Sequence, residues 1–143
     1  MHSLLTSNHK NPRRKMRKIE QEMLDASDDN VAYWKKDNTR VETPEDGWST
    51  YVYLHDNQIA DICMKTDTML ISDCGWQTST TKSRLNALLQ WYTPNGTHIY
   101  QRKHRWYLDY GDGDVIEMKE GAHYLIHLVD INSIHGDNTY DLV

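Results

Sequence analysis

From Trp48 onward, apolar and polar side chains alternate in short runs divided by turn-forming residues, which confines the chain to antiparallel strands. Tyr51, Tyr53 and His55 alternate with Val52 and Leu54, Asp56-Asn57 marks a turn, and Gln58 to Met64 returns with Ile59 and Ile62. Side chains on a strand point to opposite faces in turn, so a period of two buries one face only. Thr66-Asp67 makes a second turn, and Thr68 to Ser72 a third strand. One helix then interrupts the strands. Thr80 or Thr81 can cap its first turn with a hydroxyl, and Leu85, Leu88 and Leu89 form its apolar stripe up to about Trp91. Pro94-Asn95-Gly96 ends it. Strands follow at about Thr97 to Gln101, Arg105 to Tyr110 and Val115 to Met118, with turns at Arg102-Lys103-His104 and Gly111-Asp112-Gly113. Ala122 to Asn132 is a dense apolar run that suits a strand or a short helix. The expected fold is α+β: a small, mostly antiparallel βββ-α-βββ meander with one central amphipathic helix.

Ahead of this unit, Met16, Ile19, Met23 and Leu24 have helical spacing, which predicts a helical extension over about Arg14 to Ala26. Residues 1–15 read as a disordered basic arm, 16–47 as that helix plus an acidic linker with an aromatic foothold at Tyr33-Trp34. Residues 48–132 read as a single domain and 133–143 as an acidic tail. A length of 143 residues favours one domain. The chain has no Phe, so Tyr, Trp, Ile, Leu and Val are left to fill a core that is amphipathic at its edges. Cys63 and Cys74 lack CxxC spacing and read as reduced thiols. No apolar run approaches the roughly 20 residues of a membrane-crossing helix, and the basic start lacks a signal-peptide core.

The net charge of −5 hides a strong partition. Cys74 to Leu108 contains no carboxylate, yet holds Lys82, Arg84, Arg102, Lys103 and Arg105 interleaved with Trp76, Trp91, Tyr92, Tyr100, Trp106 and Tyr107. Aromatic faces stack on bases and cations neutralise phosphates. The 100–107 hairpin places Arg102, Lys103 and Arg105 at or near its tip beside Trp106. The helix start adds Thr80, Thr81, Lys82 and Arg84, where hydroxyls and free amides can hold a phosphate. Set side by side, the two elements make a candidate nucleic-acid site. The competing expectation is that the tryptophans are core and the cations only solubilise the hairpin.

Three other chemistries compete. The acidic residues Asp109, Asp112, Asp114, Glu117 and Glu120 suit a contact with another protein that mimics nucleic acid, or simply a solvated turn. His123 and His127 share a face in either secondary structure, with His135 further on, but zinc also needs ligands such as Cys63, Cys74 or Asp130, and no HExxH or CxxC is present. No phosphate loop, nucleophile elbow or framed carboxylate pair suggests catalysis. The reading is therefore a binding protein, not an enzyme, with no cofactor and no metal.

The Tyr51-x-Tyr53-Leu54-His55 hairpin with Ile59-Ala60 is followed by Gly75-Trp76-x-Thr78-x-Thr80-Thr81-Lys82-x-Arg84-Leu85-Asn86-Ala87-Leu88, and then by Gln101-Arg102-Lys103. Over residues 48–110 this series resembles a family of small tailed-bacteriophage proteins with no assigned activity. The resemblance implies phage origin and action in the host cytoplasm, and it transfers no functional residue. The amino-terminal arm and acidic tail depart from that family's compact pattern. The expected function is that of a phage accessory protein binding DNA or RNA through the basic-aromatic patch, with a host protein as the alternative partner.

Overall fold

The computed structural model describes residues 16–129. Its elements run in the order α1 (Lys18–Asp28), β1 (Tyr33–Lys36), β2 (Thr39–Glu42), β3 (Ser49–Leu54), β4 (Asn57–Cys63), β5 (Thr68–Ser72), α2 (Ser79–Tyr92), β6 (His98–Arg102), β7 (Arg105–Asp109), β8 (Val115–Glu117) and β9 (His123–His127). The strands form a six-stranded sheet of order β1-β2-β3-β4-β5-β9 and a three-stranded sheet of order β6-β7-β8. All pairings are antiparallel. The α+β expectation therefore holds, with β-meanders on both sides of α2.

The alternation read from Trp48 sets the inner face of the large sheet. Val41, Val52, Ala60 and Ile71 lie in one cross-strand row, and Thr50, Ile62, Met69 and Ile126 in another. All are buried. Leu85, Leu88 and Leu89 of α2, Met23 and Leu24 of α1, and Ile99, Trp106 and Leu108 of the small sheet join them in one hydrophobic cluster. Aliphatic side chains and methionine thus fill most of the centre, and of the aromatics in the described residues only Trp106 is fully inside it. The tyrosines stay at the rim, where their hydroxyls can reach partners. Ala122 to Asn132 resolves into strand β9 over its first half, paired with β5.

The expected linker between the first helix and Trp48 is instead the hairpin β1–β2, which extends the large sheet. Its sequence hides the strands because only Trp34, Thr39 and Val41 turn inward, while Lys35, Lys36, Arg40 and Glu42 carry polar groups along an outer strand and its neighbour. Charged side chains on an edge hairpin discourage further strand addition and also erase the apolar signal. The helix α1 is likewise built into the core rather than appended: it packs on α2 and β2. The arm 1–15 and the tail 133–143 lie outside the described residues.

The helix α2 is capped two residues earlier than Thr80. Its cap is Thr78, whose Oγ1 accepts the Thr81 amide at 3.2 Å, so Thr80 and Thr81 are helical residues rather than caps. At the other end α2 is tied to α1. Trp91 Nε1 and the Tyr92 hydroxyl donate to the two Asp28 carboxylate oxygens at 2.8 and 3.0 Å, and Ser27 Oγ lies 2.7 Å from the same hydroxyl. Burial, then the negative charge of Asp28, push the Tyr92 phenol far above the usual tyrosine range. The fold thus favours the neutral phenol. The stability this group contributes is full below about pH 10, the unfolded value, and is lost as pH rises beyond it. Urea midpoints should accordingly fall as pH rises from about 10 to about 11.5, and fall less in Tyr92→Phe. Parallel pH curves for the two proteins would show that Tyr92 is not the group responsible.

Candidate nucleic-acid interface

The β6–β7 hairpin reverses through Lys103 and His104, with φ of 51° and 66°. Two successive left-handed residues give the tight turn whose twist matches antiparallel strands. Register pairs His98 with Asp109, Tyr100 with Tyr107, and Arg102 with Arg105. These six side chains therefore share the outer face of the small sheet, while Ile99, Trp106 and Leu108 point into the core. The Tyr100 and Tyr107 rings stack at 5.4 Å between centroids and 24° between planes, and His98 lies 5.8 Å from Tyr100. A shallow groove of 380 Å³ runs over this face, bordered by Tyr100, Tyr107, Arg102, Lys103, Val115 and Glu117. Arg105 and Lys119 each approach Glu117 Oε1 only to 3.8 Å. Such long, exposed pairs are weak and leave the cations accessible.

The residues singled out from sequence separate into three groups. Arg102, Lys103 and Arg105 are exposed together at the hairpin tip. Lys82 and Thr80 lie on the helix, and Lys82 does meet the hairpin, but from the core side: its Nζ is 3.4 Å from Gln101 Oε1 and 5.9 Å above the Trp106 ring. Thr81, Arg84 and Trp106 are buried, with relative exposures of 2%, 4% and 3%. They are removed from any surface patch. Arg84 serves the interior instead, donating to Glu20 Oε2 at 2.9 Å, to Thr39 Oγ1 at 3.0 Å and to Asn38 Oδ1 at 3.4 Å. Glu20 is wholly buried and also accepts from the Ser83 hydroxyl. This cluster joins α1, the β1–β2 hairpin and α2.

The helix positions the hairpin through Asn86. Its side-chain amide donates to the Ile99 carbonyl at 2.8 Å and accepts the Ile99 amide at 2.7 Å, closing the outer edge of β6 as another strand would. Tyr100 and Tyr107, which frame the groove, are the two residues that sequence reasoning left out of the site. The signal was available in the alternation around the turn: with Lys103-His104 as the two central residues, Tyr100 falls opposite Tyr107 on the face opposite Trp106.

The competing chemistries also find their places. Asp109 Oδ1 accepts the Gly111 amide at 2.8 Å and Asp112 Oδ1 the Asp114 amide at 3.0 Å, so both carboxylates serve their own turns. Gly111 is required there: φ is +82° and a Cβ would fall 1.9 Å from the Asn95 carbonyl oxygen. His123 and His127 are exposed on one face of β9, and the described residues gather no group of three potential ligands. Cys63 and Cys74 are free thiols. Asp130 and His135 lie outside the described residues. Among those residues no helix is long and apolar enough to cross a membrane.

Fold and site together define a small α+β domain that presents an aromatic, cation-edged sheet face. A family model described as Kyanoviridae Gp96 protein matches residues 16–125, and the chain belongs to that family of phage proteins. The match starts at Met16, so α1 and the β1–β2 hairpin are part of the family unit along with the Gly75-Trp76 block. No curated protein matches the chain, and no solved structure does.

Proposed function

We propose that this phage protein acts in the infected cell as a non-catalytic accessory protein that binds single-stranded DNA or RNA on the outer face of its small sheet. The observation that carries this reading is the stacked Tyr100–Tyr107 pair with Arg102, Lys103 and Arg105 beside it. Stacking on aromatic rings tolerates any base, and a few cations supply the phosphate term. A host-protein partner held through the acidic turns is less favoured, because Asp109 and Asp112 each already give one carboxylate oxygen to a backbone amide of their own turn.

The test is fluorescence anisotropy with labelled single- and double-stranded oligonucleotides over a salt series. Affinity for single strands is expected to fall with log salt at a slope of about 0.7 per phosphate contacted. Tyr107→Ala should weaken binding by about tenfold, as loss of one stacking ring does, and Arg102→Glu with Lys103→Glu should abolish it. Absence of binding to every oligonucleotide at low salt would overturn the reading and direct attention to a host protein.

A further inference from the structure

Between the β3–β4 turn and the start of α2 lies a cavity of 540 Å³. Leu54 and Ile59 supply its apolar lining, Asn57, Thr80 and Asp73 its polar groups, and Trp76 an aromatic wall. Trp76 is 60% exposed, so its indole face is open to a ligand. It is not a loose side chain on a loose loop. The Asp73 carboxylate, itself fully buried, accepts the Gly75 amide at 2.8 Å, the Gly121 amide at 2.7 Å and Gln77 Nε2 at 3.0 Å. The Asp73 carbonyl accepts the Trp76 amide at 2.8 Å, and the Cys74 thiol donates to the Gln58 carbonyl at 3.1 Å. The backbone beneath the indole is thus held in place before any ligand arrives, which lowers the ordering cost of binding.

The lining decides the ligand class. No Lys or Arg borders the cavity; His55 is its one imidazole, and both oxygens of its one carboxylate, Asp73, already accept hydrogen bonds from the protein. What is offered is a flat indole, an apolar floor and hydrogen-bonding groups at its edge. Asn57 uses one donor on the His55 carbonyl at 3.3 Å, and its other donor and its oxygen face no partner among the described residues. A hydrocarbon ring would strip water from Asn57 and Thr80 without replacing those hydrogen bonds. A nucleobase has both a face to stack and an edge to pair. The volume falls within the range of roughly 300–1,000 Å³ of small-ligand sites and leaves room for a sugar.

We infer that this cavity binds an unpaired nucleobase, stacked on Trp76 with its edge toward Asn57 and Thr80. The inference deepens the nucleic-acid reading and rests on it in preferring a base to an aromatic peptide side chain. It is tested by calorimetric titration of the full chain with the four ribonucleoside monophosphates and with an aromatic tripeptide, alongside the oligonucleotide assay. Wild type should bind at least one mononucleotide, Trp76→Ala should bind it about tenfold more weakly, and Trp76→Tyr should retain most of the affinity. Tyr107→Ala, on the small sheet, should leave mononucleotide binding unchanged. Equal mononucleotide binding by wild type and Trp76→Ala would overturn the inference, as would binding of the tripeptide in place of nucleotides. Oligonucleotide binding that is lost in Arg102→Glu, Lys103→Glu but indifferent to Trp76→Ala sinks the cavity site alone. Mononucleotide binding that depends on Trp76, with oligonucleotide binding indifferent to the hairpin cations, sinks the sheet-face reading alone. Trp76 is exposed, so circular dichroism should show both Trp76 variants folded.

Discussion

Arg84→Met is expected to destabilise the protein by about 3–5 kcal/mol, because it removes the guanidinium paired with the fully buried Glu20 carboxylate. The guanidinium is also the donor that ties Thr39 and Asn38 of the first hairpin to α2, so the loss reaches three elements at once. Replacing both partners, Glu20→Leu with Arg84→Met, removes the buried carboxylate as well and should recover much of the loss, since apolar pairs of similar volume are often as stable as a buried ion pair. Urea unfolding followed by circular dichroism measures both. A single variant within about 1 kcal/mol of wild type, the level of an exposed pair, would show that the Glu20–Arg84 contact is not desolvated as described.

Trp106→Ala is the second large effect, expected at about 3–5 kcal/mol from lost burial and the cavity left behind. Its indole is 3% exposed and belongs to the cluster that includes Ile99, Leu108 and the α2 leucines. The neighbouring cations should behave in the opposite way: Arg102→Glu and Lys103→Glu, exposed at the hairpin tip, should change stability by no more than about 0.5 kcal/mol while changing ligand binding. Denaturation midpoints for the three variants separate the two roles of one hairpin. A Trp106→Ala protein as stable as wild type would mean that the inner face of β7 is not core.

These two experiments bear on the residues that sequence and structure treat differently. Lys82, Arg84, Arg102, Lys103, Arg105 and Trp106 form one patch when counted along the chain. In the fold, a single residue step along β7 separates Trp106 in the core from Arg105 and Tyr107 on the surface, because a strand reverses its side chain at every position. On α2, Lys82 reaches the hairpin, whereas Arg84, two residues on, points toward α1. Helical neighbours two apart occupy different faces. Adjacency in sequence was therefore a poor guide to which cations act together, although the hairpin tip itself was visible from its turn and its charges.

The amino-acid sequence by itself determined what depends on local periodicity and turn chemistry. Alternation from Trp48 dictated strands with one buried face, the leucine stripe dictated α2, and turn-forming residues marked where the chain reverses. The resemblance to phage proteins was read over residues 48–110, and the family match spans residues 16–125. Only the tertiary structure decided what depends on partners distant in the chain. Glu20 meets Arg84 across 64 residues, Asp28 receives Trp91 and Tyr92 across 63 and 64, and Asp73 takes the Gly121 amide across 48. The first hairpin became part of the large sheet because β3 offered it an edge and Arg84 a buried bond, neither of which leaves a mark in residues 33–42. Local patterns report how a segment is shaped, whereas the burial of a charge or the pairing of a strand is set by surfaces that meet only after the chain has closed on itself.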